Sequence, residues 1–220
     1  MKWLYLAAGV ALFIKMLLLS DPTALPSDLS IVNTVVKETG VPNAVSGIIF
    51  RNRLYDTVFE VVVFSVAIMG VRYLMANEQS TESIRTFTDA PSVVLAQLGA
   101  TIAALVGIEL AIRGHLSPGG GFAAGVAGGT AIGLVAITSS LPMMEKAYKR
   151  WRAALVEKVS VLIFIVVAVL ALIGIELPPS QLGTLLSGGW IPILNILVAL
   201  KVALGAWAAL LLFIRYRGLL

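Results

Sequence analysis

The chain reads as an all-α polytopic membrane protein with about six transmembrane helices. Three observations predict this: 59% of its 220 residues are hydrophobic and 13% charged, the mean hydropathy is +0.96, and apolar runs of bilayer-crossing length alternate with polar connections. The runs lie near 3–19, 55–76, 93–112, 121–138, 158–177 and 191–214. In lipid each run must satisfy its own backbone, and these are about twice the length of the strands in a membrane barrel, so all are predicted as helices. Cysteine is absent, which excludes disulfides and thiolate metal sites, and one histidine cannot build a metal centre alone. No metal and no cofactor is expected. The net charge of +4 and pI near 9.5 reflect Lys and Arg between the apolar runs, which report orientation and not nucleic-acid binding.

The first run follows Lys2 and could serve as a signal peptide, but it is long for a signal core and no Ala-x-Ala-like site follows it, so a retained span is predicted. Next comes the longest connection, 20–52, broken by Pro22, Pro26, Gly40 and Pro42, with an amphipathic stretch at 30–38 suited to the interface. The polar segment 77–92 ends in Ala90-Pro91, a proline placed for a helix start. With six spans and both termini inside, the inner side carries Lys2, Arg72, Arg85, Lys146, Lys149, Arg150, Arg152, Lys158, Arg215 and Arg217. The outer side carries Lys15, Lys37, Arg51, Arg53 and Arg113. The basic cluster at 146–158 therefore predicts cytoplasmic termini in a multi-pass cell-membrane protein.

Charges lodged in apolar runs point to function, because an ionised side chain at the bilayer centre costs ~2.5–3.5 kcal/mol on insertion scales. Glu60, Glu109 and Glu176 fall toward the outer ends of their runs, while Lys201 lies some ten residues into the last one, ~15 Å deep. Glu60 has no basic residue deeper on its own face, whereas Asp56 is expected to pair with Arg51 or Arg53. Glu109 and Arg113 stand four apart, as a structural ion pair or as a relay ending at His115. Glu176 is a candidate for the ion pathway, or simply reaches the interface. Lys201 can hold a permanent ion pair with a neighbouring subunit or exchange a proton, and Asn195 can share its polar path.

The string Gly114-His115-Leu116-Ser117-Pro118-Gly119-Gly120-Gly121-Phe122 is too short and glycine-rich for a regular element. It is read as a tight hairpin or as a broken-helix bend lining an ion path. Gly121, Gly125, Gly129 and Gly133 recur every fourth residue, a seam along which another helix packs closely, in this chain or in another subunit.

These strings, with Leu186-Ser187-Gly188-Gly189-Trp190-Ile191-Pro192-Ile193-Leu194-Asn195, resemble the B subunit of multisubunit Na+/H+ antiporters of the Mrp/Mnh type. The earlier string Arg51-Asn52-Arg53-Leu54-Tyr55-Asp56-Thr57-Val58-Phe59-Glu60 is similar to the carboxy-terminal tail of the antiporter A subunit. The resemblance implies a two-span A-tail-like region at 1–80 and a four-span B-like domain at 93–220. It implies a subunit that is not an enzyme by itself, that works beside other membrane subunits, and whose Glu60 lies on the route of Na+ or H+. Membrane-bound hydrogenase-type respiratory complexes carry similar small subunits, so an antiporter module and the ion module or scaffold of such a complex both remain open.

Overall fold

The computed structural model describes residues 28–80, 84, 86–178 and 180–218, together with Val10 and Ile14. The predicted first span at 3–19 therefore lies outside the described residues, apart from those two. The chain divides into residues 1–34 and a main unit, 35–220. Eight α-helices occur among the described residues: α1 Asp28–Thr39, α2 Ala44–Gly47, α3 Leu54–Met75, α4 Ala90–Arg113, α5 Gly121–Ala136, α6 Leu141–Arg150, α7 Ala153–Leu172 and α8 Ile191–Arg217. A π-helical turn, Ile48–Asn52, joins α2 to α3 and is closed by Arg53 N donating to Ile48 O at 2.7 Å. Strands are absent from the described residues, so the all-α expectation stands.

Four of these helices, α3, α4, α7 and α8, are long and apolar enough to cross a membrane. The predicted span at 121–138 differs. Its helix α5 has 16 residues, ~24 Å, shorter than a hydrocarbon core of ~30 Å, because the run ends in a turn at Ile137. The run predicted at 158–177 also shifts, since α7 begins at Ala153 and ends at Leu172. Arg152 adopts a left-handed conformation (φ 48°) at the junction between α6 and α7. At the start of α4, Asp89 caps the helix by accepting from Ser92 N at 3.0 Å, which holds its carboxyl below the usual carboxylate range.

Helix α8 is the hub, packing against α3, α4, α5, α6 and α7. Glycine makes the closest of these contacts. A Cβ on Gly121 would strike the carbonyl of Asn195, and one on Gly125 would meet Val202 and the carbonyl of Ala199. Gly129 faces Ala206, whose Cβ would lie 2.9 Å from an added one. The seam read from the sequence is thus filled by α8 of the same chain. On the other side of α5, Gly107 of α4 sits where a Cβ would come within 3.0 Å of Ala124 O and 3.2 Å of Gly128 N. Such proximity is what holds helices together in lipid, where apolar burial alone gives little drive. Phe164, Leu54, Leu194 and Val198 fill the core between α3, α7 and α8.

Two ends of the bundle can be told apart by their contacts. At one, Asn43 bonds to Gly114 and Arg51 to Glu176, which unites the start of α3, the end of α4 and the segment after α7. At the other, Arg215 of α8 pairs with Glu145 of α6, Arg217 pairs with Glu78 at 2.8 Å, and Phe87 N donates to Ile137 O at 3.0 Å. These are called the turn end and the α6 end.

The glycine contacts give a graded expectation. Gly121→Ala and Gly125→Ala should each destabilise the chain by about 1–3 kcal/mol through overpacking against backbone. Gly133→Ala, whose Cβ would lie 3.7 Å from Leu210, should be close to neutral. Thermal inactivation of detergent-extracted protein, followed by size-exclusion chromatography, checks the ranking.

Candidate ion-path site

Helix termini in lipid carry orphan carbonyls that need donors. At the end of α4 the donors come from elsewhere in the chain. Asn195 of α8 donates its amide to Leu110 O at 3.0 Å and Ala111 O at 2.7 Å. Asn43, just ahead of α2, donates to Gly114 O and Ser117 O at 2.7 Å each, and Ser46 Oγ donates to Gly114 O at 2.8 Å. Asn43 N completes the clamp on His115 O at 3.2 Å. The following bend needs glycine, because Gly119 and Gly120 have φ of +145° and +109°. The 114–121 string is therefore a tight hairpin, pinned by two asparagines. Pro118 and Gly119 form its outer corner, and Gly120 and Gly121 lead into α5.

His115 is 0% exposed inside this hairpin, and neither ring nitrogen has a hydrogen-bond partner. Burial pushes its pKa below the usual histidine value, and the neighbouring backbone of Thr184 and Leu185 works against that shift. Glu109 and Arg113 do pair, at 3.2 Å, but both are more than half exposed, and neither bonds to His115. The three do not form a connected relay in this conformation.

The buried charge lies deeper. Lys201 of α8 forms an ion pair with Glu157 of α7, and their side chains are 4% and 7% exposed. The partner that the sequence left to another subunit is thus supplied by the chain itself. Phe64 of α3 lies under the ammonium, its ring centroid 5.5 Å from Nζ, and meets Phe122 of α5 edge-on at 6.3 Å. Gly205, one turn beyond Lys201, leaves room for both partners, since a Cβ there would lie 2.6 Å from Phe64 Cε1 and 3.6 Å from Glu157 Oε1. The pair thus joins α3, α7 and α8.

The remaining predicted positions lie at the turn end. Glu60 is exposed on the surface of α3, and no ion pair to it is present among the described residues. Asp56 pairs with Arg53 as expected. Glu176 stands four residues past the end of α7, not within a span, and pairs with Arg51. Asn195 is engaged at the end of α4, where its amide donates to Leu110 O and Ala111 O. Glu157 was missed because its apolar run was counted from Lys158. The signal was present in Ala153-Ala154-Leu155-Val156, which extends that run upstream and brings Glu157 inside the helix. A group of three or more His, Cys, Asp or Glu able to hold a metal ion is absent among the described residues.

Fold and site together define a multi-pass helical membrane protein built around a buried ion pair and an asparagine-clamped glycine hairpin. The family model for the domain related to the MnhB subunit of Na+/H+ antiporters matches residues 91–208, over half of the chain, and the protein belongs to that family. Among solved structures, a chain of the membrane-bound sulfane sulfur reductase, an archaeal respiratory membrane complex, is 25% identical with a TM-score of 0.70. The match covers 98% of this chain and 99% of that one. A chain of the Mrp complex from Dietzia sp. DQ12-45-1b has the same fold, with 18% identity and a TM-score of 0.69. It covers 98% of this chain and 26% of that larger one, so this protein spans about a quarter of its length. No curated protein matches the sequence.

Unpairing one member of a buried ion pair strands the other, at a cost of about 3–5 kcal/mol, while removing both leaves little uncompensated. Glu157→Gln and Lys201→Met should each lower the yield of folded protein sharply, and the double variant should recover most of it. A double-mutant cycle on thermal stability reads this coupling.

Proposed function

We propose that this chain is a non-catalytic membrane subunit of a cation/proton antiporter module, and that the Lys201–Glu157 pair belongs to its translocation path. Membership of the MnhB-related family supports the module. The observation that carries the path is the pair itself, two charges held almost dry among apolar helices. Such groups are costly in lipid and serve ion or proton movement by default.

Exchange works by competition for one carboxylate. Glu157 is balanced by Lys201; a proton or Na+ that reaches the carboxylate displaces the ammonium from its contact. At an effective dielectric near 20, one unit charge ~4 Å from another contributes ~4 kcal/mol, so a single arriving cation is enough to reset the pair. Glu60 and Glu109, both toward the turn end, offer hard oxygen ligands to Na+ as it approaches. In this reading, residues 1–80 act as a two-span A-tail-like region, 93–220 as the B-like domain, and both termini face the cytoplasm. Other membrane subunits provide the remainder of the path, and this chain is no enzyme on its own.

A second reading places the same module inside a respiratory complex, and one observation favours it. The likeness to the sulfane sulfur reductase chain runs over nearly the whole of both chains, whereas the Mrp chain is about four times longer.

Glu157→Gln and Glu60→Gln, each in the assembled complex, test the proposal by ΔpH-driven Na+ exchange in inverted vesicles. Glu157→Gln is expected to lower exchange at least about tenfold per assembled complex, after correction for its reduced yield, the loss that follows from ~1.4 kcal/mol on the barrier. Glu60→Gln is expected to raise the Na+ concentration needed for half-maximal exchange. Normal exchange in both variants would reduce the chain to a scaffold.

A further inference from the structure

We infer that Tyr148 gates a hydrated proton route that reaches the Lys201–Glu157 pair from the α6 end. The inference rests on the reading of that pair as part of the exchange path, and it assigns the side from which protons arrive.

At the α6 end a cavity of about 180 Å3 opens between α3, α6 and α8, lined by Arg72, Glu145, Tyr148, Lys149, Ala208 and Arg215. Arg72, Glu145, Lys149 and Arg215 bring charge to it, Leu211 and Leu212 complete a largely apolar wall, and it has room for several water molecules. Tyr148, in its lining, and Trp207 meet edge-on at 5.2 Å; Tyr148 Oη and Trp207 Nε1 are buried without a partner at full hydrogen-bond geometry, and the Arg72 guanidinium is the charged group acting most strongly on the phenol. Buried hydroxyl and indole N–H groups are almost always satisfied, and water is the donor or acceptor at hand here.

Lys201, Gly205, Ala208, Leu212 and Arg215 recur at helical spacing and share one face of α8, so Arg215 at the mouth and Lys201 inside lie on the same stripe. The positions between them that adjoin the pair are small. Gly205 lies beside Glu157 Oε1 and Phe64, and Ala208 lines the cavity. From Ala208 to Lys201 the axial rise is ~10.5 Å, the length that a file of a few hydrogen-bonded waters has to span on the proposed route.

Tyr148 lines the cavity, and its phenol is within electrostatic reach of Arg72 of α3 and Glu157 of α7. The remaining charged groups around it are Glu145 and Lys149 on α6, and Arg215 and Lys201 on α8, with Glu145 paired to Arg215 and Lys201 to Glu157. Burial pushes the phenol above its usual range, against the pull of Arg72, so the hydroxyl stays neutral. A neutral hydroxyl moves a proton without bearing net charge: its oxygen accepts one from water on the mouth side while its own proton passes to water on the inner side. The proton ends on a Glu157 oxygen, the carboxylate becomes a neutral acid, and Lys201 is left as the cation above Phe64. One proton is taken from water at the α6 end, and none is lost.

The absence of cysteine makes the route directly readable. Ala208→Cys in the assembled complex is treated with a small, charged, membrane-impermeant thiol reagent from either face of the vesicle, with labelling read by mass on this chain. Reaction from the α6 face at least about tenfold faster than at Leu105→Cys, on the outward face of α4, is expected, because only a wetted thiol ionises. Leu212→Cys lines the same cavity and replaces Ala208→Cys should that variant fail to assemble. No labelling at either position, or labelling only from the turn end, would overturn the route. Tyr148→Phe keeps the ring against Trp207 and removes the hydroxyl; exchange about tenfold slower with normal assembly is expected, and an unchanged rate would remove Tyr148 from the route. If labelling fails while Glu157→Gln still abolishes exchange, this inference alone falls. If labelling succeeds while Glu157→Gln exchanges normally, the cavity stands and the antiport reading falls.

Discussion

The ion pair between Lys201 and Glu157 is the constraint around which the bundle is organised. Each charge alone would cost ~2.5–3.5 kcal/mol at the bilayer centre on insertion scales, so they are tolerable only when they face one another and are shielded from lipid. Meeting that condition fixes how α7 and α8 are registered. It also sets what surrounds them: Phe64 covers the ammonium, and a glycine at 205 clears the space that any side chain would fill. The left-handed corner at Arg152, which sets the start of α7, is a local cost that puts Glu157 opposite its partner. A pair held this way stores two alternatives, charged and neutralised, in one place.

The second constraint is the backbone. Where α4 ends, its carbonyls would be left without donors, and two asparagines distant in sequence supply them. The clamp makes the glycine hairpin a rigid connector. His115, held without side-chain partners at its centre, is therefore a product of the same packing that buries the hairpin. Both regions hold buried side-chain polar atoms without partners, His115 Nδ1 and Nε2 in the hairpin and Tyr148 Oη and Trp207 Nε1 at the α6 end.

Much of this was legible in the sequence. The apolar periods gave the helical class, Ala90-Pro91 gave the start of α4, and the four-residue glycine repeat gave the closely packed seam, although its neighbour proved to be α8 of the same chain. Glu109–Arg113 and Asp56 with Arg53 follow from helical spacing alone. What could not be read depends on distant contacts. Glu157 lies at the edge of its run, so its burial follows only from where α8 places Lys201, 44 residues away. Glu176 was counted into a span because Ile173, Gly174 and Ile175 prolong the apolar string, while the helix stops where Gly174 takes a positive φ. The shortness of α5 went unseen for the opposite reason, since Ile137 and Thr138 continue the run in composition but not in conformation. Tyr148 is an ordinary residue in the sequence and acquires meaning only through the cavity that it lines with Arg72 and Arg215.

The account stands on Glu157 changing protonation while the protein works. Infrared difference spectra of the assembled complex, recorded between Na+-loaded and Na+-free states across a pH series, report this at the level of one carboxyl group. The expected result is a protonated-carboxyl band that grows as Na+ is withdrawn and pH falls, and that disappears in Glu157→Gln. A spectrum without such a band, or one that Glu157→Gln leaves unaltered, would show a pair locked in its charged form and contradict the account.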